Sequence, residues 1–314
     1  MEKKWINKPT TILILALIAT ALWGSAYPTV KLGMEWFGIT PDDSSSKLLF
    51  AGVRFLCAGL IVIIFSSIRE KRFIHPTKKE VLPIVTLGIV LTSLQEVLYC
   101  IGLANTGAAK SAILSCSGAF LAVLSAPILV KGERLSSRKI VGCLIGFLGV
   151  VVVNGISGIT ADTSFTMIGE GCVLLSALAF GLGSAWSKTV AVNATSAPTT
   201  VTGYEMLIGG ALICLIGPFA GGKLTIASPY AIPMMCYLAT LSALAFSLWT
   251  LLLKHNDVGK VAVYNFMVPI FGTAFSGLVL KENIFTAQNL IALVLVSAGV
   301  VIVNLQLKKK TASV

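Results

Sequence analysis

The chain has 314 residues, 56% hydrophobic and 12% charged, with a mean hydropathy of +0.90. Soluble domains carry about 25% charged residues, so most of this surface cannot face water and a water-soluble domain is excluded. The net charge of +11 does not point to nucleic acid, because the basic residues stand between apolar runs, where cytoplasmic loops carry them.

A helix needs about 20 apolar residues to cross a bilayer. Ten segments are read as spans: 11–31, 48–68, 81–103, 109–130, 139–156, 167–188, 198–218, 229–253, 258–280 and 285–306. Lys3, Lys4 and Lys8 before the first segment mimic a signal peptide. The apolar run reaches Val30 without a convincing cleavage site, so it is read as the first transmembrane helix. Trp23 and Tyr27 are four apart there and share a face, and Pro28 follows them. A mid-span Trp suits a substrate cavity, where its ring offers both stacking and a hydrogen bond.

The second segment carries Arg54 near its outer end. The third is the richest in polar groups: Thr92, Ser93, Gln95, Glu96 and Tyr99 interrupt an apolar helix. Positions 92, 95, 96 and 99 share one face at helical spacing. A carboxylate inside a membrane is costly unless it faces a cavity or a partner. Glu96 is therefore a candidate proton-coupling or cation-binding group, or a packed, hydrogen-bonded one. Arg54 is its obvious counter-ion, with snorkelling to the interface as the alternative. The fourth segment has Pro127, and the fifth has the close-packing pair Gly142 and Gly146.

In the second half, Glu170 opens the sixth segment and reads as interfacial. Trp186 and Trp249 lie near cytoplasmic span ends and read as interfacial belt residues. Tyr204 and Glu205 fall in the seventh segment, where Glu205 reads as an acid close to the interface. The ninth carries Tyr264, Asn265 and Pro269. Prolines inside spans kink the helix and free a carbonyl, so Pro28, Pro127 and Pro269 are hinge candidates or static kinks.

The halves resemble each other. Lys110, Lys131 and Asn154 recur as Lys260, Lys281 and Asn304, at a constant offset of 150. Gly149-Val-Val-Val-Val-Asn154 is answered by Gly299-Val-Val-Ile-Val-Asn304. The first and sixth segments align at an offset of 157, which sets Lys31 on Lys188. The expected organisation is two units, 1–156 and 157–314. With both termini cytoplasmic, the inner side holds 18 of the 24 basic residues. Five spans per unit is odd, so the second unit enters the membrane inverted, which is the sequence pointer to alternating access. The halves differ where Glu96 meets Phe246, Arg54 meets Tyr204 and Ala119 meets Pro269.

The seven cysteines are dispersed through apolar runs and read as packing residues, with no disulfide and no metal expected. No nucleotide-binding loop, nucleophile elbow or metalloprotease motif is present, so neither a cofactor nor enzyme activity is expected.

Trp23-Gly-Ser-Ala-Tyr-Pro-Thr-Val-Lys31, Arg54-Phe-Leu-Cys-Ala-Gly59, Tyr99-Cys-Ile-Gly-Leu-Ala-Asn-Thr106, Lys131-Gly-Glu-Arg-Leu-Ser136 and the echo Lys281-Glu-Asn-Ile284 together resemble the EamA-type branch of the drug/metabolite transporter superfamily. The resemblance implies an all-α membrane protein, ten helices as two inverted five-helix repeats around a central cavity lined by segments 1, 3, 4, 6, 8 and 9. It implies secondary transport of small metabolites, often amino acids or drugs and often by export. Glu96, Trp23 and Asn265 then fall on cavity-lining helices, while the turns at Glu133 and Glu282 look structural. The family commonly has a proline midway along the fourth span, where this chain has Ala119.

The candidate substrate-binding residues are thus Glu96, Gln95, Ser93, Tyr99, Trp23, Tyr27, Tyr264 and Asn265, with Arg54, Glu205, Pro28 and Pro269 as structural or gating positions. The expected function is export of a small polar or amphipathic metabolite. The alternative is uptake or proton-coupled exchange of an organic cation or amine through Glu96. Partners are the bilayer, the small-molecule substrate and protons as the candidate coupling ion. The expected setting is a bacterial-type inner membrane, with the chain as a monomer or weak homodimer.

Overall fold

The structure, a computed structural model, describes residue 6 and residues 8–106, 108–154, 165–280 and 287–304. Lys3, Lys4, Lys281, Glu282 and Lys308–Lys310 lie outside the described residues, as do the side chains of Lys110 and Asn154. Among the described residues every regular element is helical. They are α1 (Pro9–Trp36), α2 (Ser44–Glu70), α3 (Lys78–Asn105), α4 (Ala108–Leu129) and α5 (Ser137–Asn154). They continue as α6 (Met167–Asn193), α7 (Pro198–Phe219), α8 (Ala231–His255), α9 (Val258–Ala262, Val263–Phe266 and Met267–Leu280 in succession) and α10 (Ala287–Asn304). Eight of these are long and apolar enough to cross a membrane. Ile64, Phe65, Ile128, Leu215 and Phe219 are exposed on the outside of the bundle, as lipid-facing residues must be. This is a multi-span membrane protein.

Local chemistry explains the helix ends. Pro9 and Pro198 open α1 and α7, where a missing N–H is no loss. The Asp43 carboxylate caps α2, accepting from the Ser46 N–H at 2.9 Å. Hydrogen bonding from Ser46 holds Asp43 below the usual carboxylate range. Glu80 at the start of α3 accepts from the N–H groups of Thr77 (2.8 Å), Thr195 (2.7 Å) and Ser196 (3.1 Å). One carboxylate thereby ties the α2–α3 connection to the α6–α7 connection.

Two helices depart from the regular form. Residues Gly88–Leu94 of α3 form a π-helical stretch, whose i→i+5 pattern changes the register of everything after it. Positions 92, 95, 96 and 99 therefore do not share a face. Thr92 and Ser93 are buried against α7, where Ser93 Oγ donates to the Gly209 carbonyl at 3.0 Å, while Gln95, Glu96 and Tyr99 turn into the bundle. In α9, a 3₁₀ turn at Val263–Phe266 precedes the α-helix that starts at Met267. Pro269 thus sits in the first turn of that helix, where it breaks no ladder. Pro28 is buried mid-way along α1.

The helices pair by close backbone approach. α2 packs on α7, α5 on α10, α4 on α6, α9 and α8 on α1, and α3 on α6. A Cβ on Gly210 would lie 2.3 Å from the Leu56 nitrogen, and one on Gly59 would lie 2.5 Å from the Leu207 nitrogen. In lipid such van der Waals contact, not a hydrophobic drive, holds helices together. The Gly142–Gly146 pair serves α5 against α10 in the same way, with the Gly299 carbonyl 2.8 Å from a Gly142 Cβ.

Several polar or aromatic residues are more buried than the sequence suggests. Glu170 is 4% exposed and accepts from the Thr106 hydroxyl at 2.7 Å and the Thr166 N–H at 2.8 Å. Glu205 is 2% exposed and accepts from the Thr92 hydroxyl, so it is an interhelical fastener between α7 and α3 rather than an interfacial acid. Trp249 is also buried, packed in the core and not in a belt, and Trp186 packs beside Ile84 and Leu87.

Candidate functional site

The interior holds a cavity of about 260 Å³, at the small end of ligand sites. Seven helices line it. α1 supplies Trp23, Ala26 and Tyr27, α3 supplies Gln95, Glu96 and Tyr99, and α4 supplies Ser115, Cys116 and Ala119. From the second half come Ser176 and Phe180 of α6, Ser242 and Phe246 of α8, and Asn265 of α9. α2 adds Arg54 and Phe55. Adjacent aromatics reach the cavity because α1 carries Trp23 and Tyr27 one turn apart, and the π stretch of α3 delivers Gln95, Glu96 and Tyr99 together.

Charge in the cavity is concentrated in one pair. Arg54 Nη2 stands 4.0 Å from Glu96 Oε1, and both side chains are 15% exposed. The Arg54 guanidinium carbon lies 4.5 Å from the centroid of the Phe55 ring, a cation–π contact. Arg54 Nε has no hydrogen-bond partner among the described residues. Such a guanidinium presents donors in a planar fork suited to a carboxylate, and Glu96 presents an acceptor for an ammonium. Gln95 is anchored from behind: its Nε2 donates to Ser176 Oγ at 3.3 Å, and Ser176 Oγ donates to the Gln95 carbonyl at 2.9 Å.

Among the described residues the cavity opens toward one end. Six of its lining residues, Trp23, Ala26, Tyr27, Arg54, Glu96 and Tyr99, also line a wider space of about 950 Å³. That space runs to Lys31, Gly38, Thr40 and Lys47, beside the α1–α2 connection. Toward the opposite end the rings close ranks. Trp23 meets Phe246 at 5.2 Å and Trp249 at 5.0 Å between centroids, both edge-on. Below them Ala119, Ala122, Val123, Ala126, Leu252 and Leu253 form a continuous buried core.

Of the residues singled out from the sequence, Trp23, Tyr27, Gln95, Glu96, Tyr99, Asn265 and Arg54 come together here. Tyr264 does not. It is 3% exposed within the core and borders a separate space of about 280 Å³ with His255, Asp257 and Asn304. Ser93 and Glu205 face the α3–α7 contact. Pro28 and Pro269 line neither the cavity nor its mouth. Sequence reasoning missed Ser115, Ser176 and Ser242, small hydroxyls in apolar runs, and Phe180, which carries no signal of its own.

The model of the "EamA-like transporter family" matches residues 10–155 and residues 167–305. The chain belongs to the EamA-like transporter family. It is 27% identical to "Uncharacterized transporter YvbV" of Bacillus subtilis (strain 168), over 99% of this chain and 96% of that protein. It is 24% identical to "Probable amino-acid metabolite efflux pump" of Escherichia coli (strain K12), over 92% of this chain and 93% of that protein. A solved crystal structure shares the fold with a TM-score of 0.77 at 20% identity, covering 95% of this chain and 97% of the other. This EamA-like chain is a membrane transporter, and its cavity is where a small-molecule substrate must be sought.

Proposed function

We propose that this chain is a secondary transporter that exports a small zwitterionic metabolite by alternating access, binding it in the cavity between Arg54 and Glu96. The observation that carries the reading is this ion pair, 4.0 Å apart and set among Trp23, Tyr27 and Tyr99 in a space of about 260 Å³. A zwitterion satisfies both groups at once. Its carboxylate takes the guanidinium fork and its ammonium takes Glu96, while the rings cover its apolar part. An isolated organic cation fits less well, because Arg54 already neutralises Glu96.

The charge distribution supports cytoplasmic termini. On that topology the wide mouth at Lys31 and Lys47 faces outward and the sealed end faces the cytoplasm. Two inverted repeats are supported by the pairing pattern. Exchanging each helix for the one five positions away carries α4–α6 onto α9–α1 and α8–α1 onto α3–α6, and leaves α2–α7 and α5–α10 unchanged. The same exchange of conformations would move the opening from one end to the other. Export is the direction named for the Escherichia coli relative.

The test is a thermal-shift series on purified protein with an aromatic amino acid, its decarboxylated amine and its N-acetyl derivative. The amino acid is expected to stabilise the fold, by about 2.7 kcal/mol at a hundredfold excess over Kd, and the two truncated ligands far less. Efflux from preloaded proteoliposomes then checks direction. Equal stabilisation by the amine alone would overturn the zwitterion reading in favour of a cation site.

A further inference from the structure

The sealed end is fastened by one carboxylate. Glu133, in the α4–α5 connection, is buried to 4% side-chain exposure. Its Oε1 accepts from Lys188 Nζ of α6 at 2.7 Å and from the Val258 N–H, the first residue of α9, also at 2.7 Å. The same Lys188 ammonium donates to the Asn256 carbonyl of the α8–α9 connection at 2.7 Å. Lys139 of α5 stands 3.6 Å from Glu133 Oε2 and 3.7 Å from Asp257. One carboxylate thus ties the α4–α5 connection to α6 and to the start of α9, and Lys139 brings in α5.

We propose that Glu133 is the positioning residue of a latch that holds this end of the bundle shut, and that release of its contacts to Lys188 and Val258 lets the cavity open there. The inference rests on the alternating-access reading above. Three features argue for a latch rather than a static brace. First, it lies beyond the sealed-side end of the plug: α4 carries Ala119 in the cavity lining and Ala126 in the buried plug, ends at Leu129, and Glu133 follows the turn at Gly132. Second, it clamps α9 at its first residue, one short helix away from the 3₁₀ turn that carries Asn265 into the cavity. A movement of Val258 is thereby transmitted to a lining residue through a segment already broken from the α-helical ladder. Third, the knot is incompletely satisfied. Glu133 Oε2 has no hydrogen-bond donor among the described residues, only the longer approach of Lys139. A buried pair with an unmet oxygen is held less firmly than a fully bonded one, which suits a contact that must break in each cycle. The repeat register adds a counterpart at the other end. Lys31 occupies the position of Lys188 and lines the open mouth, where it is free to serve a reciprocal closure.

The experiment uses the full-length protein in detergent, with native cysteines replaced and two single-cysteine reporters, Ala126→Cys in the plug and Val30→Cys in the wide mouth. Reaction with a charged, water-soluble maleimide reports which end is open and needs no substrate. Glu133→Gln is expected to speed labelling at the plug at least tenfold, since each charge-assisted bond lost is worth that much in an equilibrium, and to slow labelling at the mouth. Lys188→Met should act in the same direction, and the double variant should add little to either, because both break one contact. If Glu133→Gln fails to fold, Lys188→Met carries the test. Unchanged plug labelling in both variants would overturn the latch. Faster labelling at the plug with the mouth unaffected would support the latch but count against alternating access, so the two readings fail separately.

Discussion

Removing Glu96 is the most informative perturbation of the cavity. At 4.0 Å from Arg54 the attraction is about 1 kcal/mol in bulk water and about 4 kcal/mol at an effective dielectric constant of 20. The pair is mostly buried yet adjoins an open mouth, so its coupling should fall between about 1 and 4 kcal/mol. Glu96→Gln leaves Arg54 in place with a nitrogen that already lacks a partner, so the single variant should be less stable by that amount. Arg54→Gln should cost more, because it also loses the contact with the Phe55 ring, worth about 0.5–2 kcal/mol. The double variant Arg54→Gln with Glu96→Gln should be more stable than the sum of the two losses predicts. The assay is equilibrium unfolding of all four proteins in one detergent. A coupling below about 0.5 kcal/mol, the level at which independent sites already deviate, would refute the claim that these charges interact. It would also remove the main support for a zwitterion site.

Two further predictions concern the scaffold. Gly210→Ala would set a methyl group 2.3 Å from the Leu56 nitrogen and should destabilise the α2–α7 contact by about 1–3 kcal/mol, whereas Gly171→Ala, whose nearest neighbour stands at 3.4 Å, should be tolerated; equal stability of the two in thermal unfolding would count against close backbone contact there. Thr92→Val strips Glu205 of its donor and should cost about 1–3 kcal/mol, with Glu205→Met restoring much of the loss in the double variant; no recovery would mean that the two do not act as a pair.

The sequence by itself determined the class of molecule. Bilayer thickness sets a length for apolar helices, and the runs around Leu13, Ile61 and Val296 meet that length whatever their neighbours do. It also determined that Glu96 needs a partner or a cavity, because a carboxylate in lipid has no third choice. The pairing with Arg54 was legible for the same reason. What only the tertiary structure decided is which way the polar residues point. Thr92 and Ser93 look like cavity residues on an ideal helix, but the π stretch at Gly88–Leu94 turns them onto α7, and no spacing rule applied to a single helix anticipates a change of hydrogen-bond register. Trp249 lies near a span end and would suit an interface, yet it is a plug residue because α1 brings Trp23 against it. Glu133 reads as a turn residue, and its partners Lys188 and Val258 lie far along the chain. Local sequence reports on one helix and its solvent, whereas the sealing of a cavity depends on which distant loops converge, and that information exists only once the bundle has packed.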